Sequence, residues 1–264
     1  MKTVLAFAVL ALSLAGCSRH TQTTSGQEYL SQYSQLPRYG VERNNDNREE
    51  AKSIDERVRE VAAVEPILKF PARIGLARID GGRLTTLPVE EADSWKAAGD
   101  KLGKKFGEFI PVNPIIARMV AGDKRSSDVN GIIDVVRLGA ARQHLDAVLI
   151  YEVIAKEKTH TNILAAANAS ILGGYILPSK RHEAEGLGNA LLIDVMQGYP
   201  YGTVEAVVEK QSRMASSWGW GSEHGDREEM AAKIKAQAAK QLAEESCEMF
   251  TDLRVKLAEK RAQR

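Results

Sequence analysis

The sequence predicts an α/β domain: a mixed sheet with helices packed on it, a β-hairpin meander and a long C-terminal helix. Three observations carry that prediction. Residues 147–153 (AVLIYEV) are a continuous apolar, β-branched run broken only by Glu152, the pattern of a central strand. Two further apolar runs, 190–195 and 203–208, flank a turn rich in Gly, Pro and Tyr and read as a hairpin. From 228 to about 261, Met230, Ile234, Ala238, Leu242, Met249, Phe250, Leu253 and Leu257 recur at helical spacing.

The remaining elements follow in chain order. Residues 49–64 place Ile54, Val58 and Val61 at helical spacing and predict a short helix, after which Pro66 and Pro71 bracket a linker. ARIGLARID (72–80) reads as the first strand and GGRLTT as a turn. PVEEADSWKAAGDKLGKKFGEF has Pro and acids early and lysines late, the order a helix dipole favours. FIPVN is a short strand, followed by a Pro-interrupted segment, NPIIARMVAGD. Asp128 is placed to cap a helix running to about His144, with Ile132, Val135, Val136 and Leu138 on its buried stripe. Residues 212–226 (SRMASSWGWGSEHGD) are Gly/Ser-rich and predict a loop. The alternation of strand and helix, then a meander and a closing helix, gives the α/β layer.

The amino-terminal residues address location. Lys2 supplies a positive charge, residues 4–15 are apolar apart from Ser13, and Ala15-Gly16 lead directly into Cys17. A run of this length suits a secretory leader and falls short of the roughly 20 residues that a spanning helix needs. The arrangement resembles the bacterial lipobox, in which the chain is cut before the cysteine and the thiol carries a diacylglycerol. Cys17 is therefore expected to be a lipid tether. Multiple acyl chains hold stably, at about 0.8 kcal/mol per buried methylene, where one chain holds only reversibly. Ser18, in place of Asp, favours the outer membrane by analogy with lipoprotein sorting.

The expected organisation is a leader over 1–16, a lipidated Cys17 with a flexible stalk and short helix over 17–66, and a single periplasm-facing α/β domain over 67–264. The polar text of residues 18–50 lacks periodic apolar residues, so it reads as a stalk with an rms reach of about 30 Å. Loss of Lys2 with the leader takes one of 36 basic residues and leaves them balanced against 35 acidic ones. That balance argues against an electrostatic nucleic-acid binder. With Cys17 acylated, Cys247 is the remaining cysteine, so no internal disulfide forms; it reads either as a small buried hydrophobe or as a reactive or intermolecular thiol.

The segments FPARIGLARI, HLDAVLIYEV, SILGGYILPSKRHEAE and NALLIDVMQGYPYGTVEA, together with the lipobox, resemble rhombosortase-associated ("rhombotail") envelope lipoproteins. More distantly, the element order is similar to the curli-export and TolB amino-terminal-like α/β lipoproteins. The resemblance implies an envelope lipoprotein with no established enzymatic role and no catalytic residues to transfer. One departure stands out: the carboxyl end, LRVKLAEKRAQR, lacks a glycine pair and apolar tail, so the chain does not itself resemble a substrate of an intramembrane sorting protease.

Catalytic patterns are thin. No GxSxG occurs, and Glu90-Glu91 and Glu228-Glu229 sit at helix starts, where the dipole accounts for them. His160, His182, Glu183 and Glu185 are the residues a divalent metal would use, but no HExxH spacing is present, and neither a metal nor a cofactor is expected. Trp218 and Trp220 alternate with glycine and would share one face of an extended segment. They read as a partner-binding or sugar-stacking surface, or as a cover for the sheet edge or long helix. The sequence thus predicts a non-catalytic envelope interaction or export-accessory protein, held to the membrane by lipid. Two alternatives stay open: a metal-dependent hydrolase at the His/Glu residues, and an oligomeric secretion component like the curli exporter.

Overall fold

The computed structural model describes residues 18–33, 53–122, 129–161, 180–215 and 220–263. Among them the elements run β1 (Ser18–Thr21), α1 (Gly26–Tyr33), α2 (Ile54–Ala62), β2 (Ala72–Asp80), β3 (Arg83–Thr85), α3 (Val89–Leu102) and β4 (Gly107–Pro111). They continue with α4 (Pro114–Ala121), α5 (Val129–Arg142), β5 (Ala147–Thr161), β6 (Lys180–Asp194), β7 (Pro200–Ala215) and α6 (Trp220–Ala262). One mixed sheet runs β1-β7-β6-β5-β2-β3, with β4 paired to β2 as well. The pairs β2–β4 and β2–β5 are parallel and the others antiparallel. This is the α/β mixed sheet with a C-terminal helix that the sequence predicts.

β5 is internal, as its apolar run requires, pairing with β2 on one side and β6 on the other. Its residues alternate between the two faces. Ala147, Leu149, Tyr151 and Val153 enter the larger core with α3 and α6, while Val148 enters the smaller one with Val136 and Ala140 of α5. The sheet therefore has two unlike faces. One is backed by α3 and α6; every member of the predicted α6 stripe, from Met230 to Leu257, is buried there. The other is covered by α5, with α4 packed on α5. Gly139 permits that contact, because a Cβ there would stand 2.6 Å from the Ala117 Cβ.

Four differences from the sequence reading have local causes. The GGRLTT segment is not only a turn: Gly81 and Gly82 take positive φ and return the chain as β3. NPIIARMVAGD contains α4, because Asn113 accepts from the N–H groups of Ile115 and Ile116 and Pro114 sits in the first turn. β5, β6 and β7 run well past their apolar stretches, to 15, 15 and 16 residues. Cross-strand pairing carries them through the charged sequence, with Lys156 opposite Glu185 and Lys158 opposite Glu183. Finally, residues 18–33, read as stalk from composition, contain β1 and α1. β1 adds to the sheet edge with Ser18 opposite Glu205 and Thr21 opposite Gly202.

A buried polar cluster ties β2, α3 and β5. Arg78 donates from Nε to both carboxylate oxygens of Glu91 at 2.9 Å and from Nη1 to Asp80 at 3.0 Å. The Tyr151 hydroxyl donates to Glu91 Oε2 at 2.8 Å. Burial and the Glu91 charge push the Tyr151 hydroxyl far above its ordinary range. Removing Glu91 leaves the buried Arg78 with the half-exposed Asp80 and with Thr85, and takes the acceptor from the Tyr151 hydroxyl, so Glu91→Ala is expected to cost about 3 kcal/mol in urea unfolding, and the Arg78→Met/Glu91→Leu pair less. Equal losses in both would show that the ion pair is not what the site requires.

Candidate functional site

The open face of the sheet is the candidate site. α5 covers β2, β5 and the base of β6, and leaves the upper parts of β5, β6 and β7 bare among the described residues. Three rungs of opposed residues cross this bare area. The first is Ile150, Leu191 and Thr203; the second Glu152, Asn189 and Glu205; the third Ile154, Leu187 and Val207. On β2, Ile79 stands opposite Glu152, and on β1 Ser18 stands opposite Glu205. A groove of about 500 Å³ lies between these rungs and α5, with Ile79, Ile132, Ile133, Ile150 and Leu191 as its apolar lining and Glu152 and Glu205 along it.

Two carboxylates therefore stand on an apolar floor. Among the described residues neither Glu152 nor Glu205 has an ion-pair or hydrogen-bond partner. The first and third rungs are apolar where they cross β5 and β6, and Ile154 is 37% exposed. A surface of this kind can hold an apolar segment and fix its register with a cation.

β1 forms the near edge of the site and is strapped in place. Arg19 pairs with Glu245, Glu248 and Asp252 of α6, and Lys256 of α6 donates to the Thr21 hydroxyl at 2.8 Å. Lys260 donates to the Thr23 carbonyl and to Glu28, and the Tyr199 hydroxyl to the Thr24 carbonyl. Gly202 lets β1 approach closely, since a Cβ there would lie 2.4 Å from the His20 carbonyl oxygen. At the base of the β6–β7 turn, Asp194 accepts from Met196 N and Gln197 N, and Tyr201 donates to its other oxygen. Tyr201 in turn accepts from the N–H groups of Ile67 and Leu68. Burial holds its hydroxyl far above the ordinary range.

The residues singled out from sequence separate as follows. Cys17 and Trp218 lie outside the described residues. Trp220 opens α6, and β7 continues to Ala215, so the predicted loop over 212–226 is largely strand and helix. In the β5–β6 ladder His182 pairs with Thr159, His160 with Arg181, Glu183 with Lys158 and Glu185 with Lys156. The side chains of His160, His182 and Glu183, which the hydrolase alternative would use, lie outside the described residues. Among the described residues no three His, Cys, Asp or Glu side chains come together as a metal cluster. The open face itself was missed. Its signal is the alternation of Ile150, Glu152 and Ile154, which reading 147–153 as a central strand broken only by Glu152 conceals.

Comparison with known proteins finds no protein-family model that matches and no curated protein that matches. Among solved structures the chain is similar to the PelC dodecamer from Paraburkholderia phytofirmans, at 13% identity over 67% of this chain and 94% of that one, TM-score 0.26. It is also similar to a minor lipoprotein from Acinetobacter baumannii, at 8% identity over 69% of this chain and 92% of that one, TM-score 0.30.

Cys247 resolves toward the structural reading. It is buried on α6, with Sγ 3.3 Å from the Ala243 carbonyl and 3.6 Å from that of Ala98, and burial pushes its thiol up. Alkylation at neutral pH is expected to proceed at the rate of unfolding, at least ~100-fold slower than in urea-denatured chain. A fast native-state reaction measured by mass spectrometry would restore the reactive-thiol reading.

Proposed function

We propose that this chain is a lipid-anchored envelope lipoprotein of the outer membrane, of the rhombotail-like kind, that acts by binding another protein. The observation that carries the reading is the position of β1. The residue after Cys17 is already part of the sheet and strapped to α6, so a lipid on Cys17 would hold the domain itself rather than a loose tether. A domain fixed this way presents one defined surface to its surroundings. The open face, whose near edge is β1, is that surface. Among the described residues no helix is long and apolar enough to cross a membrane.

Cys17→Ser is expected to move the protein from the outer-membrane to the soluble envelope fraction and to abolish incorporation of labelled palmitate. Retention of the variant with membranes, or an unmodified mature start elsewhere by mass spectrometry, would overturn the anchor. Trp218 and Trp220 remain proposed contact residues. Trp218→Ala with Trp220→Ala is expected to reduce in-cell crosslinking to an envelope protein at least ~10-fold, on the scale of interface tryptophans. Unchanged crosslinking discards them as contacts.

A further inference from the structure

Among the described residues one amphipathic element, α2, has no core to face. In α2, Ser53 and Glu56 form a capping box, so the helix is well started. Ile54, Val58 and Val61 form its apolar stripe, yet they are 70%, 53% and 75% exposed, and none of its residues is buried. Arg57 is three residues after Ile54 and four before Val61, which places it against the edge of the stripe. Asp55 and Glu60 fall further round the helix. Among the described residues Arg57 has no side-chain partner.

The open face lacks what α2 carries. Its groove is apolar with two unpartnered carboxylates, and the stripe of α2 is apolar with one unpartnered guanidinium. The dimensions agree as well. Nine residues of helix extend about 14 Å. The groove crosses from β2 through β5 and β6 to β7, three strand spacings, also about 14 Å. In layer terms, α5 fills one helix position on this face, and among the described residues nothing fills the position beside it.

We infer that α2 of one copy of this chain docks in the open groove of a second copy, with Ile54, Val58 and Val61 on the apolar floor and Arg57 against Glu152 and Glu205. The occupant must be another copy because α2 is held elsewhere in its own: it packs on α1, whose Gly26 lies against the backbone of Ala62 and Ala63. The contact joins two different patches of the same chain. It is therefore heterologous and repeats from copy to copy into a ring or an open file. A helix of this size gives a small, concentration-dependent contact, strengthened where copies share one membrane. The inference deepens the proposed use of the open face but does not need the anchor, so a failed Cys17 experiment leaves it standing.

The experiment uses the purified full-length chain and follows its mass by sedimentation across dilution. The wild type is expected to exceed monomer mass at high concentration. Val58→Asp, which spoils the stripe at an exposed position, and Glu152→Lys/Glu205→Lys, which spoils the groove, are each expected to be monomeric. Mixing the two variants leaves one intact stripe and one intact groove, so a one-to-one pair and nothing larger is expected. Adding Arg57→Glu to the lysine variant is expected to restore at least ~10-fold of the lost association. In parallel, Val58→Cys with Thr203→Cys is expected to crosslink between chains under oxidation. A wild type that stays monomeric at every concentration overturns the inference. So does association unaffected by either variant, a mixture that forms no pair, or a disulfide that closes within one chain.

Discussion

The structure turns on how α6 is laid along the sheet. Its stripe from Met230 to Leu257 meets β5, β6 and β7 on a single face, where Gly186 and Gly188 admit the helix closely. A Cβ at Gly186 would stand 3.0 Å from the Ile234 carbonyl oxygen and 3.1 Å from the Ala238 Cβ. With α3 beside it, α6 buries the described residues from Leu149 to Val153 and from Ala190 to Leu192 on that face. The same commitment leaves the opposite face to α4 and α5, which are too short to cover seven strands. A layered fold needs both faces of its sheet removed from water or made polar. Here the second face is part covered, part polar and part bare, and the bare part follows from the disproportion between the helices.

That disproportion also explains the amino-terminal strap. The outer edge of β7 would be an unpaired ladder beside α6, and edges of that kind invite pairing with other chains. β1 occupies four positions of it, and charges of both signs hold it to α6: Arg19 to three carboxylates, Lys256 and Lys260 back to the strap. Ion pairs this exposed contribute little singly, at most about 1 kcal/mol each. Their effect here is positional. They fix the place of Ser18 to Thr21 at the sheet edge.

Much of the scaffold was legible in the sequence because its signals were periodic. The 147–153 run, the 72–80 strand and the α6 stripe each repeat with the period of one element, and each stands where it was placed. The strap was not legible. SRHT is short and polar, and its strand character comes from partners more than 180 residues away on β7. The long ends of β5 to β7 failed for a related reason: their stability comes from cross-strand pairing, which a single strand's composition does not reveal. α4 was obscured by Pro114, which breaks a helix interior but begins a helix well. The candidate site was hidden by its own chemistry. Glu152 in an apolar run looks like an interruption of a core strand, whereas its register with Asn189 and Glu205 makes it part of a polar rung on an exposed face.

The polar rung and the strap meet at one position. Ser18 is opposite Glu205, so the rung of Glu152, Asn189 and Glu205 ends on the first residue of β1, and the rung below it ends on His20. A displacement of Ser18 would reach the open face through a single strand pairing, with no intervening loop to absorb it. The converse also holds, because anything that seats against Glu205 bears on its partner Ser18 in β1. Four residues of antiparallel pairing are a weak element alone, and the α6 contacts are what keep them from fraying. The seating of β1 and the near edge of the open face are thus set by the same few interactions, and a change in either has to pass through β1.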